Sequence, residues 1–248
     1  MNNLKLSIII PAYNEENRIS ATLDALVYFL STHSNLNLKN TEIIIANDGS
    51  SDNTLEKLQN YNNSTLNLKI LSYAPNKGKG FAIRKLIEKS SAPLIVCNDA
   101  DMAIDWKEID NFMSCFESTP ELDILIGSKG MNESHSNISK WHIRRIMGRA
   151  FNFLVRIMTG LNFSDTQCGF KMFRRNAALP LVSLLTIDRF AWDVEFLMKA
   201  QRANFKIKEK AVSWRLDKNS RVRVIRDSLE MIKSIIKIKL GFYKTKHD

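Results

Sequence analysis

Leu94-Ile95-Val96-Cys97-Asn98-Asp99-Ala100-Asp101 is a short apolar run that ends on two carboxylates one residue apart. Pro93 bounds it on the other side, and a run of this length suits a strand buried on both faces. Neighbouring side chains alternate along a strand, so Asp99 and Asp101 are expected to point the same way if strand geometry persists through them. Two anionic oxygen donors at a sheet's carboxyl edge form part of a site for a hard divalent cation. Mg2+ takes one or two protein carboxylates and leaves its other positions to water and substrate phosphate. A lone D-x-D also serves as a helix cap beside a solvated carboxylate, so the surrounding chain has to decide.

Immediately upstream, Asn76-Lys77-Gly78-Lys79-Gly80 opens a helix from Phe81 to Lys89, and a strand is expected around Leu68 to Leu71. Before these come a strand from Glu42 to Ala46, the turn cluster Asn47-Asp48-Gly49-Ser50-Ser51-Asp52, and a helix from about Asn53. The first strand candidate is Leu6 to Ile10, ended by Pro11. Ala12-Tyr13-Asn14-Glu15-Glu16 then leads into an amphipathic helix carrying Ile19, Leu23, Leu26, Val27 and Leu30 on one face. This β-α-β-α-β-α-β alternation predicts an α/β fold with an open, mostly parallel sheet and helices on both faces. Ligands of such sheets sit at the carboxyl ends of the strands, where the loops after Ile10, Ala46 and Asn98 fall.

Downstream, a helix is expected from Trp106 to Phe116 and a strand from Asp123 to Ile126, leading to Gly127-Ser128-Lys129. A Ser/Asn-rich stretch, Asn132 to Ser139, reads as a loop. Trp141 to Thr159 reads as one helix with Arg145, Arg149, Asn152 and Arg156 on one stripe and Ile143, Met147, Ala150, Leu154 and Ile157 opposite. Asp165 to Phe173 runs from a polar cluster into a strand-like segment. Asp193 and Glu195 open a further helix, on which positions two apart diverge by about 200°. The tail from Arg221 is basic, with Ile225, Leu229, Ile232, Ile236 and Leu240 as its apolar stripe; that stripe suits a membrane surface or the protein's own core.

A chain of 248 residues can bury one substantial core, so a single domain is expected over 1–248, with a first half over 1–104, a second over 105–220 and a basic amphipathic helix over 221–248. The net charge of +10 calls for a polyanionic partner, either phosphates or an anionic membrane surface. A nucleic acid is disfavoured because the basic residues are interleaved with apolar periodicity and no RNA- or DNA-binding motif is present. No signal peptide and no membrane-spanning run are expected. Three scattered cysteines, Cys97, Cys115 and Cys168, fit reduced thiols in a cytoplasmic setting.

The segments Ile8 to Glu16, Asn47 to Asp52, Asn76 to Gly80 and Asp99-Ala100-Asp101 come in the order and spacing of family 2 glycosyltransferases, which the chain resembles. Its second half is similar to the dolichyl-phosphate β-glucosyltransferase-like branch. The residues that carry this are Arg149-Ala150-Phe151-Asn152, Asp165 to Lys171, Trp192 to Glu195 and Arg226-Asp227-Ser228. The resemblance implies a GT-A fold, a nucleotide-sugar donor, Mg2+ or Mn2+, and inverting transfer. Donor contacts are carried over to Pro11, Ala12, Tyr13, Asn14, Glu15, Asp48, Lys79, Asp99, Ala100 and Asp101, with Asp99 and Asp101 as metal ligands. Asn47 stands where many members have Asp. Lys129 replaces an Arg and so lacks its bidentate fork.

The expected reaction moves glucose from UDP-glucose to a polyprenyl phosphate at the cytosolic face of a membrane. Other donor sugars (N-acetylglucosamine or mannose), a soluble acceptor and a non-catalytic basic binding protein are the alternatives. Arg145, Arg149, Arg156, Gln167 and Arg174 are the expected acceptor-phosphate residues. Asp165 and Asp193 are the candidate base or orienting groups, against helix capping and ion pairing as their structural alternatives. Relatives commonly carry membrane-spanning helices, so a membrane-protein partner that recruits the chain is kept as an alternative.

Overall fold

The structure is a computed structural model and describes residues 4–33, 35–61, 66–129, 148, 152–215 and 224–239. Buried segments with apolar centres form the central strands: β1 (Leu6–Ala12), β2 (Thr41–Asp48) and β4 (Leu94–Cys97). Beside them lie β3 (Leu68–Tyr73), β5 (Ile124–Ser128), β6 (Lys171–Arg174) and β7 (Ile207–Ala211). They make one seven-stranded sheet in the order β3-β2-β1-β4-β6-β5-β7. Every pairing is parallel except those of β6, which runs antiparallel to β4 and β5. The expected open, mostly parallel sheet is present, and β6 stitches its second half onto the first.

Alternation along the strands sorts the core onto two faces. Ile8, Ile10, Ile43, Ile45 and Met172 face α1 (Ile19–Thr32) and α4 (Glu108–Ser118), while α2 (Thr54–Gln59) adds Leu58 to this side. Ile9, Ile44, Ile95 and Phe173 face the other way. That face is covered by α3 (Lys79–Lys89), α6 (Arg175–Ser183) and α7 (Trp192–Arg202), together with α8 (Val224–Lys239) and α5, helical over 152–159.

Two amphipathic expectations shift register. On α5, Val155 is the buried residue whereas Ile157 is 62% exposed, so Ile157 lies off the packed face. On α8, Met231 and Ile235 enter the core while Ile236 is 41% exposed. This helix packs on the core, and the thioether of Met231 receives the Gln167 amide at 3.3 Å. Arg145, Arg149, Asn132 to Ser139 and the end of the tail lie outside the described residues. Among the described residues, no helix is long and apolar enough to cross a membrane.

Candidate active site

The loops after β1 and β2 meet at the carboxyl edge and are tied to each other. Asn14 has φ 57°, a conformation Asn tolerates better than most residues. Its backbone N–H donates to Ser50 Oγ at 2.9 Å, and its Oδ1 accepts the Ser51 N–H at 2.8 Å. The Glu15 N–H donates to Thr54 Oγ1 (2.6 Å) and the Glu16 N–H to Asp52 (3.2 Å). The Glu15 carboxylate is held by Arg18 at 2.6 Å. Pro11 and Ala12 end β1, and Tyr13 is 44% exposed at the edge.

Asp48 ends β2 nearly buried, with both oxygens occupied. Oδ1 accepts the Lys77 N–H, while Oδ2 accepts the Gly78 N–H and the Asn76 side-chain amide, all at 2.8 Å. Gly78 has φ 105°, and a Cβ there would stand 2.5 Å from the Asp188 carbonyl, which explains the glycine. Asp48 thus shapes the turn that launches α3, whose first residue is Lys79.

β4 stops at Cys97, so Asp99 and Asp101 lie on a turn and not on a strand continuation. The strand cannot continue because the chain bends to accept bonds of its own: the Ala103 N–H donates to Asp101 Oδ1 at 3.0 Å, and the Ala100 carbonyl accepts Thr22 Oγ1 at 2.7 Å. Strand alternation therefore does not set the directions of the two carboxylates. Lys129 feels both of them across the site. Asp99, 33% exposed, pairs with Lys79 at 2.6 Å. Burial works against its ionisation, but Lys79, Lys129 and Lys171 outweigh that and hold its carboxyl below the usual range. For Lys79, burial disfavours the ammonium, and Asp99 and Asp193 more than reverse the effect, so it stays charged.

Behind this pair lies a second, in which the ion pairing kept as the alternative for Asp193 is made with Lys171 and not with an arginine. Lys171, wholly buried, contacts Asp193 at 2.5 Å and donates to the Cys168 carbonyl. Burial pushes Asp193 up, partly offset by Lys171 and Lys79. Glu195, on the same helix, turns away to accept the Thr186 and Ile187 N–H groups, as helical spacing required. Asp165 accepts the Lys129 N–H at 3.2 Å and the Gln167 N–H at 3.1 Å, and its own N–H is held by Glu209. Burial and Asp165 push the Cys168 thiol up to about 12, and its side chain packs in the core.

The acceptor set changes. Arg174 sits at the far end of β6, opposite Leu94, and donates to the carbonyls of Leu122 and Pro120. The antiparallel direction of β6 carries it away from the site, so it leaves the phosphate-binding group. Gln167 spends its amide on Met231, and Arg156, exposed on α5, donates to Asn162.

Asp99 and Asp101 carry hard oxygen donors of the kind that could hold a divalent cation together with phosphate oxygens. Among the described residues no group of three or more His, Cys, Asp or Glu side chains could hold one alone. The mostly parallel seven-stranded sheet with helices on both faces is the GT-A architecture of nucleotide-sugar transferases. Known proteins agree. The family described as "Glycosyl transferase family 2" matches residues 7–179. The dolichyl-phosphate beta-glucosyltransferase of Dictyostelium discoideum is 34% identical, covering 99% of this chain and 78% of that protein. The mouse protein of the same name is 32% identical, covering 96% of this chain and 76% of that one. Among solved structures, glucosyl-3-phosphoglycerate synthase from Mycobacterium tuberculosis, with Mn2+ and uridine-diphosphate-glucose, has a TM-score of 0.68 at 13% identity, covering 97% of this chain and 80% of that one. The chain belongs to the family 2 glycosyltransferases, in the dolichyl-phosphate β-glucosyltransferase-like branch, and is a glycosyltransferase.

Proposed function

We propose that this enzyme transfers glucose from UDP-glucose to a dolichyl-type polyprenyl phosphate, with inversion, at the cytosolic surface of a membrane. The observation that carries the reading is the grouping of Asp99, Asp101, Lys79 and Lys129 at the carboxyl edge of the sheet. The names of the relatives supply the sugar and the lipid.

Asp99 and Asp101 would hold Mg2+ or Mn2+, which when bound supplies Lewis-acid stabilisation of the diphosphate leaving group. Lys79, kept charged by Asp99 and Asp193, adds positive charge where the leaving group gains negative charge. The loops of Pro11 to Glu15 and of Asp48 receive the nucleotide. A phosphomonoester has a second pKa of about 6, so the acceptor is already largely anionic near neutral pH and needs little help from a base. Asp165 then orients Lys129 and the turn around it, and Asp193 positions Lys171. Arg145, Arg149 and Arg156 are the cations assigned to the acceptor phosphate.

The test is a donor screen for UDP release, with and without a short polyprenyl phosphate. Release from UDP-glucose should depend on both the lipid and a divalent ion. Preference for UDP-N-acetylglucosamine or GDP-mannose would overturn the sugar, and turnover without lipid phosphate would overturn the acceptor.

A further inference from the structure

The turn between Asp165 and β6 comes against Asp99 at one point, Gly169. A Cβ placed on Gly169 would stand 2.6 Å from Asp99 Cγ and 3.0 Å from Oδ1, and closer still to Oδ2. Backbone conformation does not require this glycine, since its φ is not among the positive ones. The peptides on either side are fixed. The Cys168 carbonyl accepts from the buried Lys171 ammonium, and the Phe170 carbonyl accepts the Gly127 N–H of β5 at 2.9 Å. Asp99 is held from the other side by Lys79. A side chain at 169 therefore meets a backbone that cannot retreat, and the carboxylate has to give way.

We infer that Gly169 is a positioning residue. By lacking a Cβ it seats the Asp99 carboxylate between Lys79 and the 165–171 turn, so the acceptor half of the chain sets the orientation of a donor-site ligand. This rests on the proposed role of Asp99, and the test separates the two.

The experiment is a double-mutant cycle read by urea unfolding, together with binding of UDP in the presence of Mn2+ followed by calorimetry. Gly169→Ala should lower the folding equilibrium constant of the otherwise unchanged protein by about tenfold, a coupling within the usual range for residues in contact. In the Asp99→Ala background the same change should be neutral or slightly stabilising, because alanine restricts the unfolded chain. In the Asp99→Asn background, which keeps the shape and removes the charge, the penalty should return. Gly169→Ala should also weaken UDP·Mn2+ binding by about tenfold, while UDP binding without metal changes little. An equal penalty with Asp99 in place and in the Asp99→Ala background would overturn the inference, as would unchanged UDP·Mn2+ affinity. If the unchanged protein fails to bind UDP·Mn2+ at all, the donor assignment falls, and the unfolding cycle still decides whether Gly169 seats Asp99.

Discussion

Asp193→Ala would leave the Lys171 ammonium wholly buried with the Cys168 carbonyl as its remaining hydrogen-bond acceptor among the described residues. Breaking a buried ion pair from one side costs about 3–5 kcal/mol, because the remaining charge stays desolvated and unpaired. Domains are stable by only about 5–15 kcal/mol, so this is a large fraction of the total. With a urea m-value of about 3 kcal/mol/M for a chain this size, the unfolding midpoint should fall by about 1–1.7 M. The double replacement Lys171→Met with Asp193→Val removes both charges at close to the original volume, and it should recover most of that loss. The assay is urea unfolding followed by tryptophan fluorescence, with Trp192 close to the pair as reporter. An Asp193→Ala protein that unfolds at the original midpoint would refute the reasoning. If it did so with its activity abolished, Asp193 would belong to the chemistry as a base, and the positioning role given to it here would be wrong.

Asp101→Ala, or EDTA, should reduce turnover at least about a thousandfold with no change in unfolding, since Lewis-acid stabilisation is worth several kcal/mol; turnover in EDTA would disprove the metal role. Arg149→Ala should weaken use of the lipid by about ten- to a hundredfold at unchanged donor KM, measured with the two substrates varied separately; a raised donor KM would move the arginine to the nucleotide sugar. Glu42, buried with Ser7, Ser91 and Lys69 around its carboxylate, is opposed by burial but held below its usual value of 4.5 by those partners. Its contribution is therefore present above the unfolded-state pKa and lost as pH falls through the lower folded value. Urea midpoints across the acid range should show Glu42→Gln with a shallower acid decline; an unchanged slope would exclude the linkage. Sedimentation should show binding to anionic vesicles that salt releases, at about 1 kcal/mol per Lys or Arg near the surface; equal binding to neutral vesicles at high salt would point to an apolar anchor instead.

The first half of the sheet was legible because the isoleucine-rich centres of β1 and β2 and the apolar β4 stand out between polar loops, although β1 runs on through Pro11 to Ala12 and does not end at Ile10 as expected. Local pattern carries no direction, so nothing in Lys171 to Arg174 told that β6 runs antiparallel. That single reversal is what moved Arg174 to the wrong end of the sheet. β7 escaped reading altogether: Ile-Lys-Glu-Lys-Ala is an edge strand paired with β5, and its exposed Lys208 is a charge of the kind that protects an edge. Of the site, the carboxylates and Lys79 stood out by motif. Lys171 did not, because a buried lysine is legible only from its partner, 22 residues further on. The contact of Gly169 with Asp99 joins residues in opposite halves, and no spacing rule reaches that far.

The interlaced loops after β1 and β2 constrain how base selectivity in this enzyme could be redesigned. Asn14, Glu15 and Glu16 each send a main-chain N–H into the 50–54 segment, and Ser51 returns one to Asn14. If the donor binds as proposed, the nucleoside end of the cleft is a single two-ply wall. Grafting either loop alone from a protein with another nucleotide preference would strand those donors and acceptors and loosen both plies. A productive graft has to carry residues 13–16 and 50–54 together.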